Sequence, residues 1–387
     1  MNSASTAASS STPLHIIIIG AGIGGLTLAN LLRQSDPAIH VRVFERDSAA
    51  HMRTQGGTLG LKDSGGLTAL QRLGMYEEIR AVSKPVTQFT ILTQQGKHLL
   101  TLHGHPHSLR VSRDTLRDIL LRDIQQTMTF DTLCTGYTEK QGKPVVRISD
   151  GREETADVVV ACDGVKSAIR HQLVGDLPHF LGLSAITGSV STAEVHPLLA
   201  DGPLLVMGKG VSLVMDQEPD RIGWALTLHT KQQELEPLPK SVLQERVLAL
   251  TQRWYSPVRE IVRATHLDDV AYLGGFYDKE PLQHARAGRL VLLGDAAHPM
   301  SSFRGEGANM AMADALSFVD ILSRAEGSQL EQARACYERE MLTRTQKAVL
   351  ESRKAAGEMH SRHWLTQALL RGKLQLAHRL LPLVQKE

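Results

Sequence analysis

The feature that most constrains the fold is a glycine-rich turn, Gly20-Ala21-Gly22-Ile23-Gly24-Gly25, between a β-branched run and a stretch with helical periodicity. This spacing matches GxGxxG. The first glycine makes a tight turn, the second admits a pyrophosphate, and the third lets helix and strand pack closely. Free amides and the helix dipole then stabilise the phosphate charge. The sequence therefore predicts a dinucleotide site at Gly20, Gly22 and Gly25.

The residues around this turn predict a βαβ unit. Ile16 to Ile19 form a continuous apolar run, which is typical of a parallel strand buried on both faces. Leu26 to Arg33 have helical periodicity, and Val41 to Phe44 form a second strand. Glu45 follows that strand, where a carboxylate can accept hydrogen bonds from a ribose diol. The fingerprint by itself leaves NAD and FAD open.

Two further turns combine an acidic residue with glycine after a buried strand. Asp163 precedes Gly164 after the strand Ala156 to Ala161, and Asp295 follows Gly294 after Leu290 to Leu293. In an open α/β sheet such loops lie at the carboxyl ends of the strands, where ligands bind. An aspartate there can accept from ribityl hydroxyls. Downstream, Gly305 and Gly307 let backbone amides approach a flat ring, so the combination favours FAD.

The rest of the chain predicts a second domain and a helical tail. Between roughly 180 and 280, alternating segments separated by turns indicate a mostly antiparallel sheet. The expected fold class is α/β, with a Rossmann-like FAD-binding domain, a β-sheet substrate domain and a long C-terminal helix. We place the FAD-binding domain at 14–178 and 281–335, the substrate domain at 179–280, the helical segment at 336–387, and a disordered leader at 1–13.

Composition excludes several other classes. A formal net charge of +2 leaves no basic stripe for nucleic acid. The three cysteines are far apart and lack ligand spacing, so neither disulfides nor zinc is expected, and a cytoplasmic location fits. No apolar run is long enough for an integral membrane contact. The cluster His98, His103, His105 and His107 lacks a carboxylate partner, which favours a solvated loop over a metal site.

The C-terminal segment is basic. From Met341 onward nine Lys or Arg accompany three Glu. Such an excess usually marks a solvated face, with a partner or membrane-surface contact as the alternative.

Three motifs in this order resemble one known family. GxGxxG, DGxxSxxR from Asp163 to Arg170, and GDAAH from Gly294 to His298 are the signatures of single-component FAD monooxygenases typified by para-hydroxybenzoate hydroxylase. The stretch Gln55 to Leu61, the helix start Arg113 to Arg117, the length and the C-terminal helix look most like the tetracycline-inactivating flavin monooxygenases.

The resemblance implies an activity. Such enzymes use NADPH or NADH and dioxygen to oxygenate a small electron-rich compound (aromatic, phenolic or tetracycline-like) through a flavin hydroperoxide. The flavin carries the chemistry, so no catalytic side chain is assigned. A monomer is expected.

The resemblance also implies residue roles. Glu45 would bind the adenosine ribose, Arg113 would reach the phosphate and ribityl chain, and Asp295 would hold the ribityl and pyrophosphate region. Asp163 and Arg170 would shape the groove that NADPH visits. The predicted cofactor-binding set is Gly20, Gly22, Gly25, Glu45, Arg46, Gly57, Arg113, Asp163, Asp295, Gly305 and Gly307.

The substrate pocket is expected between the flavin and the sheet of the second domain. The residues predicted to line it are Met207, Leu213, Met215, Trp224 and Phe303. Where the family commonly has a proline-containing turn at the flavin ring, this chain has Ser301 and Ser302, which we interpret as turn formers. Positions near Pro203 to Leu205 are apolar, whereas tetracycline-inactivating relatives present polar and basic groups there.

Two other functions remain open from the sequence. One is an FAD reductase or dehydrogenase of the same fold that saturates an isoprenoid bond. The other is a slow flavin-binding redox sensor. Substrate-stimulated NADPH oxidation distinguishes the monooxygenase from both.

Overall fold

A computed structural model describes residues 13–52, 57–85, 87–104, 107–192, 194–236, 238–283, 288–325 and 329–384. Residues 1–12 of the predicted leader lie outside this range. The strands are β1 (His15–Ile19), β2 (His40–Phe44), β3 (Thr58–Leu61), β4 (Lys84–Pro85), β5 (Gln88–Thr93), β6 (His98–His103), β7 (Leu109–Ser112), β8 (Met128–Thr129), β9 (Cys134–Lys140), β10 (Lys143–Ile148), β11 (Glu153–Thr155), β12 (Val158–Ala161), β13 (His179–Ser191), β14 (Leu204–Met207), β15 (Val211–Gln217), β16 (Arg221–His229), β17 (Ala271–Asp278) and β18 (Leu290–Leu292). The helices are α1 (Ile23–Ser35), α2 (Gly66–Arg72), α3 (Tyr76–Ala81), α4 (Arg113–Arg122), α5 (Ala168–Val174), α6 (Lys240–Thr251), α7 (Ser256–Ala264), α8 (Gly307–Leu322), α9 (Leu330–Met359) and α10 (Trp364–Val384).

A five-stranded sheet in the order β18-β12-β1-β2-β8 forms the centre of the FAD-binding half, and its pairs are parallel. Its middle strand is fully buried, since Ile16, Ile17 and Ile18 have no exposed surface. Helices α1 and α8 pack against each other beside this sheet. Because the strands are parallel, the loops that follow β1, β12 and β18 meet at one edge.

A seven-stranded sheet in the order β17-β13-β16-β15-β14-β5-β6 forms the second half. It is antiparallel except for β14 and β5, which run parallel with Leu204 opposite Thr90. Strands β5 and β6 come from a region that the sequence analysis places in the FAD-binding domain. Their pairing joins residues more than a hundred positions apart, so no local pattern indicates it.

The two faces of the seven-stranded sheet have different neighbours. On β15, Leu213 and Met215 belong to a core that includes Val247 of α6 and Val258 of α7. Val214 lies between them and points to the opposite side, because successive side chains alternate. One face is therefore closed by α6 and α7, and the other faces the remainder of the molecule.

The C-terminal region consists of two helices instead of one long helix. Tyr337 of α9 packs edge-on against Phe318 of α8, with ring centroids 5.4 Å apart. After a break between Met359 and Trp364, α10 packs Leu370 and Leu374 against a small core on the β5 and β6 side of the sheet. No helix in the described part of the chain is long and apolar enough to cross a membrane. The predicted α/β class, with a Rossmann-like half, an antiparallel sheet and a helical C-terminal segment, is confirmed.

Candidate cofactor site

The glycine turn is tightly packed at two glycines and open at a third. Gly20 has φ of +102°, and an added Cβ would overlap the carbonyl oxygen of Cys162. A Cβ on Gly25 would overlap the carbonyl oxygen of Gly20. Gly22, in contrast, would meet no atom within 4 Å. The turn therefore packs against protein at Gly20 and Gly25 and leaves an open side at Gly22, as close approach of a phosphate requires.

The three sequence motifs converge at this turn. The Cys162 amide donates to the Ile19 carbonyl at 2.7 Å, which places the second motif directly beside the first. The Leu293 amide donates to the Ala161 carbonyl at 3.0 Å, so the third motif follows on the next strand. A Cβ on Gly24 would lie 2.9 Å from the Leu293 side chain. The parallel strands thus bring together loops that are far apart in sequence.

Glu45 supports the turn from the neighbouring strand. One carboxylate oxygen accepts from the Ala21 amide at 2.7 Å, and the other accepts from the Asp47 amide at 3.0 Å. A carboxylate oxygen can accept more than one hydrogen bond, so both still have capacity for a ribose diol. Arg46 lies next to it on the surface.

Arg117 also holds the turn, and the sequence analysis gave it no role of its own. Its side chain is 3% exposed and donates to the carbonyl of Ala21 at 3.2 Å and to that of Ala50. It lies one helical turn after Arg113, on the buried side of α4. An arginine at a core position of an amphipathic helix is the signal that could have identified it, since charged residues are rarely buried without a partner.

Arg113 and Asp295 interact across the cleft from different elements. The Arg113 Nε is buried and has no hydrogen-bond partner among the described residues. Burial lowers the pKa of Arg113, and the nearby carboxylates of Asp295 and Asp114 oppose that shift. A buried guanidinium nitrogen without a partner suits an anionic ligand, because a charged group left unpaired in the interior is costly.

Asp295 is accessible to solvent although Gly294 and Ala296 on either side are buried. Burial nevertheless raises the pKa of the Asp295 carboxyl, against the effects of His298 and Arg113. Both observations hold if Asp295 lies at the bottom of a cleft, where solvent reaches a carboxylate that protein surrounds. A Cβ on Gly307 would lie 3.8 Å from its Oδ1, so the start of α8 borders the same cleft.

Asp314 anchors the loop that carries Asp295, and the sequence analysis missed it. This fully buried residue of α8 accepts from the Gly294 amide at 3.0 Å, from Arg344 at 2.7 Å and pairs with His298 Nε2 at 2.6 Å. Burial disfavours the charged forms of both Asp314 and His298. Their mutual attraction outweighs it, which lowers the pKa of Asp314 and raises that of His298. No local motif marks this aspartate.

Asn309 joins a third loop to the start of α8. Its Oδ1 accepts from the Lys62 amide at 2.8 Å, and its Nδ2 donates to the Gly60 carbonyl at 2.8 Å. Added Cβ atoms on Gly57 and Gly305 would meet nothing within 4 Å. These two predicted cofactor-binding glycines therefore have an open side like that of Gly22. Gln55 and Gly56 lie outside the described residues.

Asp163 and Arg170 both belong to the second motif, but their side chains have different partners. Asp163 accepts from the Ala168 amide at 3.0 Å, and burial raises the pKa of its carboxyl. Arg170 is 1% exposed. It binds Asp176 through two nitrogens and donates to backbone carbonyls that include Glu280 at 2.7 Å and Ala297. Arg170 is thus a buried link between the second and third motifs, and any part it has in shaping the NADPH groove would be through the backbone that it holds.

The turn from Ser301 to Arg304 contacts the C-terminal helices. The Ser301 hydroxyl is buried and donates to the Ser352 carbonyl of α9 at 2.9 Å, so it serves the turn structure and not the cleft. The Phe303 ring lies 5.3 Å from the Phe276 ring and 4.8 Å from the His360 ring. An aromatic row therefore runs from β17 through the turn to the end of α9.

His360 links this row to the sheet. It is 1% exposed, its Nε2 lies 2.8 Å from the Ser212 hydroxyl, and its Nδ1 lies 2.9 Å from the Ala356 carbonyl. Burial lowers the pKa of His360 to about 4, with a smaller contribution from His229. A neutral ring that donates through Nδ1 and accepts through Nε2 satisfies both contacts.

The structure places three of the predicted pocket residues on the other face of the sheet. Leu213, Met215 and Trp224 lie in the core beneath α6 and α7, and Trp224 donates to Thr265 at 2.8 Å. Met207 packs in the core next to α10. Only Phe303 keeps a partly open position. These residues were predicted because they are apolar, but large apolar side chains fill buried cores on both faces of the sheet, so apolar character alone does not identify the cleft.

Two of the clustered histidines, His98 and His103, lie at the ends of strand β6 and not in the expected loop. The His98 ring packs 4.6 Å from that of His378 on α10. No group of three metal-binding side chains occurs within the described ranges. His105 lies outside them.

Comparisons with known proteins agree with this geometry. A family model described as an FAD binding domain matches residues 14–352. The 3-amino-4-hydroxybenzoate 2-monooxygenase of Streptomyces cremeus is 29% identical over 322 residues, covering 80% of this chain and 78% of that protein. Among solved structures, Klebsiella pneumoniae HpxO complexed with FAD and uric acid has a TM-score of 0.83 and 23% identity, covering 95% of this chain and 94% of the other. The tetracycline destructase Tet(51) has a TM-score of 0.66 and 20% identity, covering 95% and 97%.

Proposed function

This chain belongs to the FAD-binding domain family, and we propose that it is a monooxygenase that uses NADPH or NADH and dioxygen to hydroxylate a small electron-rich aromatic compound. The family membership confirms the resemblance to single-component FAD monooxygenases. The observation that carries the proposal is the convergence of three glycine-containing loops on one cleft with Arg113 and Asp295 inside it. We also propose that the enzyme is a monomer and acts in the cytoplasm.

The charges and the open glycine positions around the cleft support FAD as its ligand. Gly22 at the start of α1 offers open backbone and a helix N-terminus to the pyrophosphate, and Arg113 offers a guanidinium nitrogen that lacks a partner. Glu45 would accept from the adenosine ribose, with Arg46 beside it at the rim. Asp295 would accept from ribityl hydroxyls.

The remaining glycines suit the flat part of the cofactor. Gly57 and Gly305 would border the ring, because no atom lies within 4 Å of a Cβ added to either, and Gly307 would border it beside the Asp295 carboxylate. When bound, FAD supplies the electron transfer from NAD(P)H and the activation of dioxygen. The protein binds and orients the reactants and excludes water.

The substrate would lie against the face of the seven-stranded sheet opposite α6 and α7. Val214, Ala225 and Thr187 form a row across three adjacent strands, since Val214 pairs with Ala225 and Ala225 with Thr187. All three are partly exposed. Together with Phe276 and Phe303, whose rings lie 5.3 Å apart, they would form a wall of small aliphatic and aromatic groups with one hydroxyl.

This wall favours a flat substrate with few charges. Aromatic side chains bind planar rings by offset or tilted stacking, and Thr187 can hydrogen-bond one polar substituent. The name of the Streptomyces relative, an aminohydroxybenzoate monooxygenase, agrees with an electron-rich ring. A phenol or aminophenol is therefore the first class to test, with polyketides and tetracyclines as larger alternatives.

The central experiment measures NADPH consumption and peroxide release by the purified flavoprotein against phenols, aminohydroxybenzoates, polyketides and tetracyclines. A true substrate raises the rate of NADPH oxidation, lowers peroxide release and gains one oxygen atom. If no compound couples oxidation to product, the monooxygenase proposal fails, and the reductase and redox-sensor functions take its place.

The cofactor placement has its own test. Asp295→Ala should lose FAD, since the ribityl contact disappears and Arg113 loses a neighbouring carboxylate. Asp268→Ala, at an exposed position away from the cleft, is the matched control. If Asp295→Ala purifies with the same flavin content as Asp268→Ala, the assignment of this loop to FAD is wrong.

A further inference from the structure

Helix α10 has two apolar sides, and only one of them is covered. Leu370, Leu374 and Ala377 pack against the core of the β5 and β6 region. On the other side Leu365, Leu369, Leu376 and Leu380 are 46%, 64%, 57% and 47% exposed. A surface helix normally has one apolar stripe, which faces the core. The second stripe therefore needs a separate explanation.

The exposed leucines form a continuous row. Their spacings of four, seven and four residues keep them within a narrow arc at about 100° per residue. Gly372 lies at the edge of this arc, between the leucines and Arg379, and a Cβ on it would meet nothing within 4 Å. Trp364 at the start of the helix is 69% exposed. We call Trp364 and these four leucines the outer row.

Basic residues of α10 accompany the outer row, and α10 itself contains no Asp or Glu. Arg371, Lys373 and Arg379 lie on α10, and no Asp or Glu occurs between Glu358 and Glu387. Lys373 lies 3.9 Å from Glu358, a distance that gives only a weak exposed pair. By helical angle, Lys373 borders the leucines on one side and Arg379 on the other.

This charge pattern distinguishes between possible partners. A second copy of α10 would bring like charges together beside the leucines, because the flanking residues are cations in either orientation. An anionic surface would be attracted to Lys373 and Arg379, the two cations that border the leucines. Leucines along one face, a tryptophan at one end and flanking Lys and Arg are the features of a helix that lies in a lipid interface.

We propose that the outer row of α10 docks this enzyme on the surface of anionic lipid bilayers. The leucines would enter the boundary between headgroups and acyl chains, Trp364 would lie at the headgroup level, and the cations would contact lipid phosphates. The helix does not cross the bilayer. Because the opposite side of α10 stays packed on the sheet, docking requires no unfolding of the described structure.

The test is co-sedimentation of the full FAD-loaded chain with vesicles of phosphatidylcholine, with and without phosphatidylglycerol. We expect binding to the phosphatidylglycerol vesicles that decreases as salt is added, since exposed charges are screened. The double variant Leu369→Glu/Leu376→Glu should lose binding. Replacing Lys373 and Arg379 by Gln should weaken partitioning about fivefold for each cation.

A matched control uses exposed leucines elsewhere. Leu177 and Leu273 are 71% and 51% exposed and lie outside α10. Leu177→Glu/Leu273→Glu should bind vesicles like the wild type, and flavin content should be unchanged in all variants. Equal binding by Leu369→Glu/Leu376→Glu and wild type overturns the proposal. So does an absence of binding to anionic vesicles at low salt, or a wild-type dimer that the α10 variant converts to monomer.

Discussion

The two large sheets of this protein carry their functional residues in different places. In the five-stranded parallel sheet, β12 and β18 are fully buried and β1 nearly so, and several residues proposed to bind FAD follow the ends of strands, among them Gly22 after β1, Glu45 after β2 and Asp295 after β18. In the seven-stranded sheet, the residues proposed to contact substrate lie within the strands, on one of two faces. Val214 and Leu213 are neighbours in sequence, yet Leu213 is buried beneath α6 and α7, whereas Val214 lies partly exposed on the opposite face, where it also packs against the core beside α10.

This difference explains why the functional residues of the parallel sheet are easier to predict from sequence than those of the seven-stranded sheet. A loop that must approach a phosphate requires glycine at fixed spacing, and that spacing is contiguous in the chain. A strand face requires only alternation, and both parities of β15 contain apolar residues. The glycine spacing is therefore a specific signal for a phosphate-binding loop, whereas alternation does not indicate which face of a strand meets a ligand.

The largest expected effect concerns the glycine turn after β1, in the FAD-binding half. Gly25→Ala should abolish soluble flavoprotein, because its Cβ would overlap the Gly20 carbonyl oxygen. Gly22→Ala should fold, because its Cβ meets no protein atom within 4 Å. Its FAD affinity should fall roughly tenfold or more, because an amide contact worth about 1.5–3 kcal/mol is lost. Yield, circular dichroism and flavin titration measure both. Full FAD affinity in Gly22→Ala would show that the open side does not face the cofactor.

The second test compares the two faces of β15. Leu213→Ala should lower the free energy of unfolding by about 2.7–5 kcal/mol, because a fully buried leucine leaves a cavity. Val214→Ala should cost about 1 kcal/mol or less and instead change KM or the fraction of NADPH coupled to product. Urea unfolding and steady-state kinetics separate these outcomes. A change in KM with Leu213→Ala and none with Val214→Ala would reverse the proposed faces.

The third test concerns the ribose contact beside the glycine turn. Glu45→Ala should weaken FAD binding by about 1.5–3 kcal/mol, as charge-assisted hydrogen bonds disappear. Glu45→Gln keeps one acceptor for the Ala21 amide and should weaken FAD binding less than Glu45→Ala does. Glu77→Ala, at an exposed site on α3, serves as the control. Equilibrium FAD titration measures all three, and equal affinity throughout would remove Glu45 from the site.

The smallest effect concerns His360, where the sheet meets the aromatic row. Its pKa is about 4 in the folded protein, below the ordinary value of 6.5, so the unfolded chain binds the extra proton first as pH falls. Stability from this residue is complete above pH 6.5 and is lost toward pH 4. From pH 7 to pH 5 the wild type should lose about 2 kcal/mol more than His360→Gln. Urea titrations at both pH values measure this, and parallel losses would mean that His360 is not buried in its neutral form.

Much of the FAD-binding half could be predicted from local patterns. The run Ile16 to Ile19 and the glycine turn indicated strand and turn correctly, because each depends on residues close in sequence. Glu45 accepts from the Ala21 amide, and its contact with a ribose stays a prediction. The residues that complete the site did not have such patterns. Arg117, Asp314 and Asn309 act through partners 96, 20 and 249 positions away, and each looks like an ordinary helix residue in sequence.

The sequence by itself determined the cofactor class and the order of the loops that bind it, since glycine spacing and turn chemistry are local properties. Only the tertiary structure decided which face of the seven-stranded sheet meets the cleft, that β5 and β6 join it, and that Arg170 is a buried link. Those outcomes depend on which distant elements pack together. Hydrophobic burial is non-directional, so the sequence of an apolar strand does not indicate which distant element will cover each of its faces.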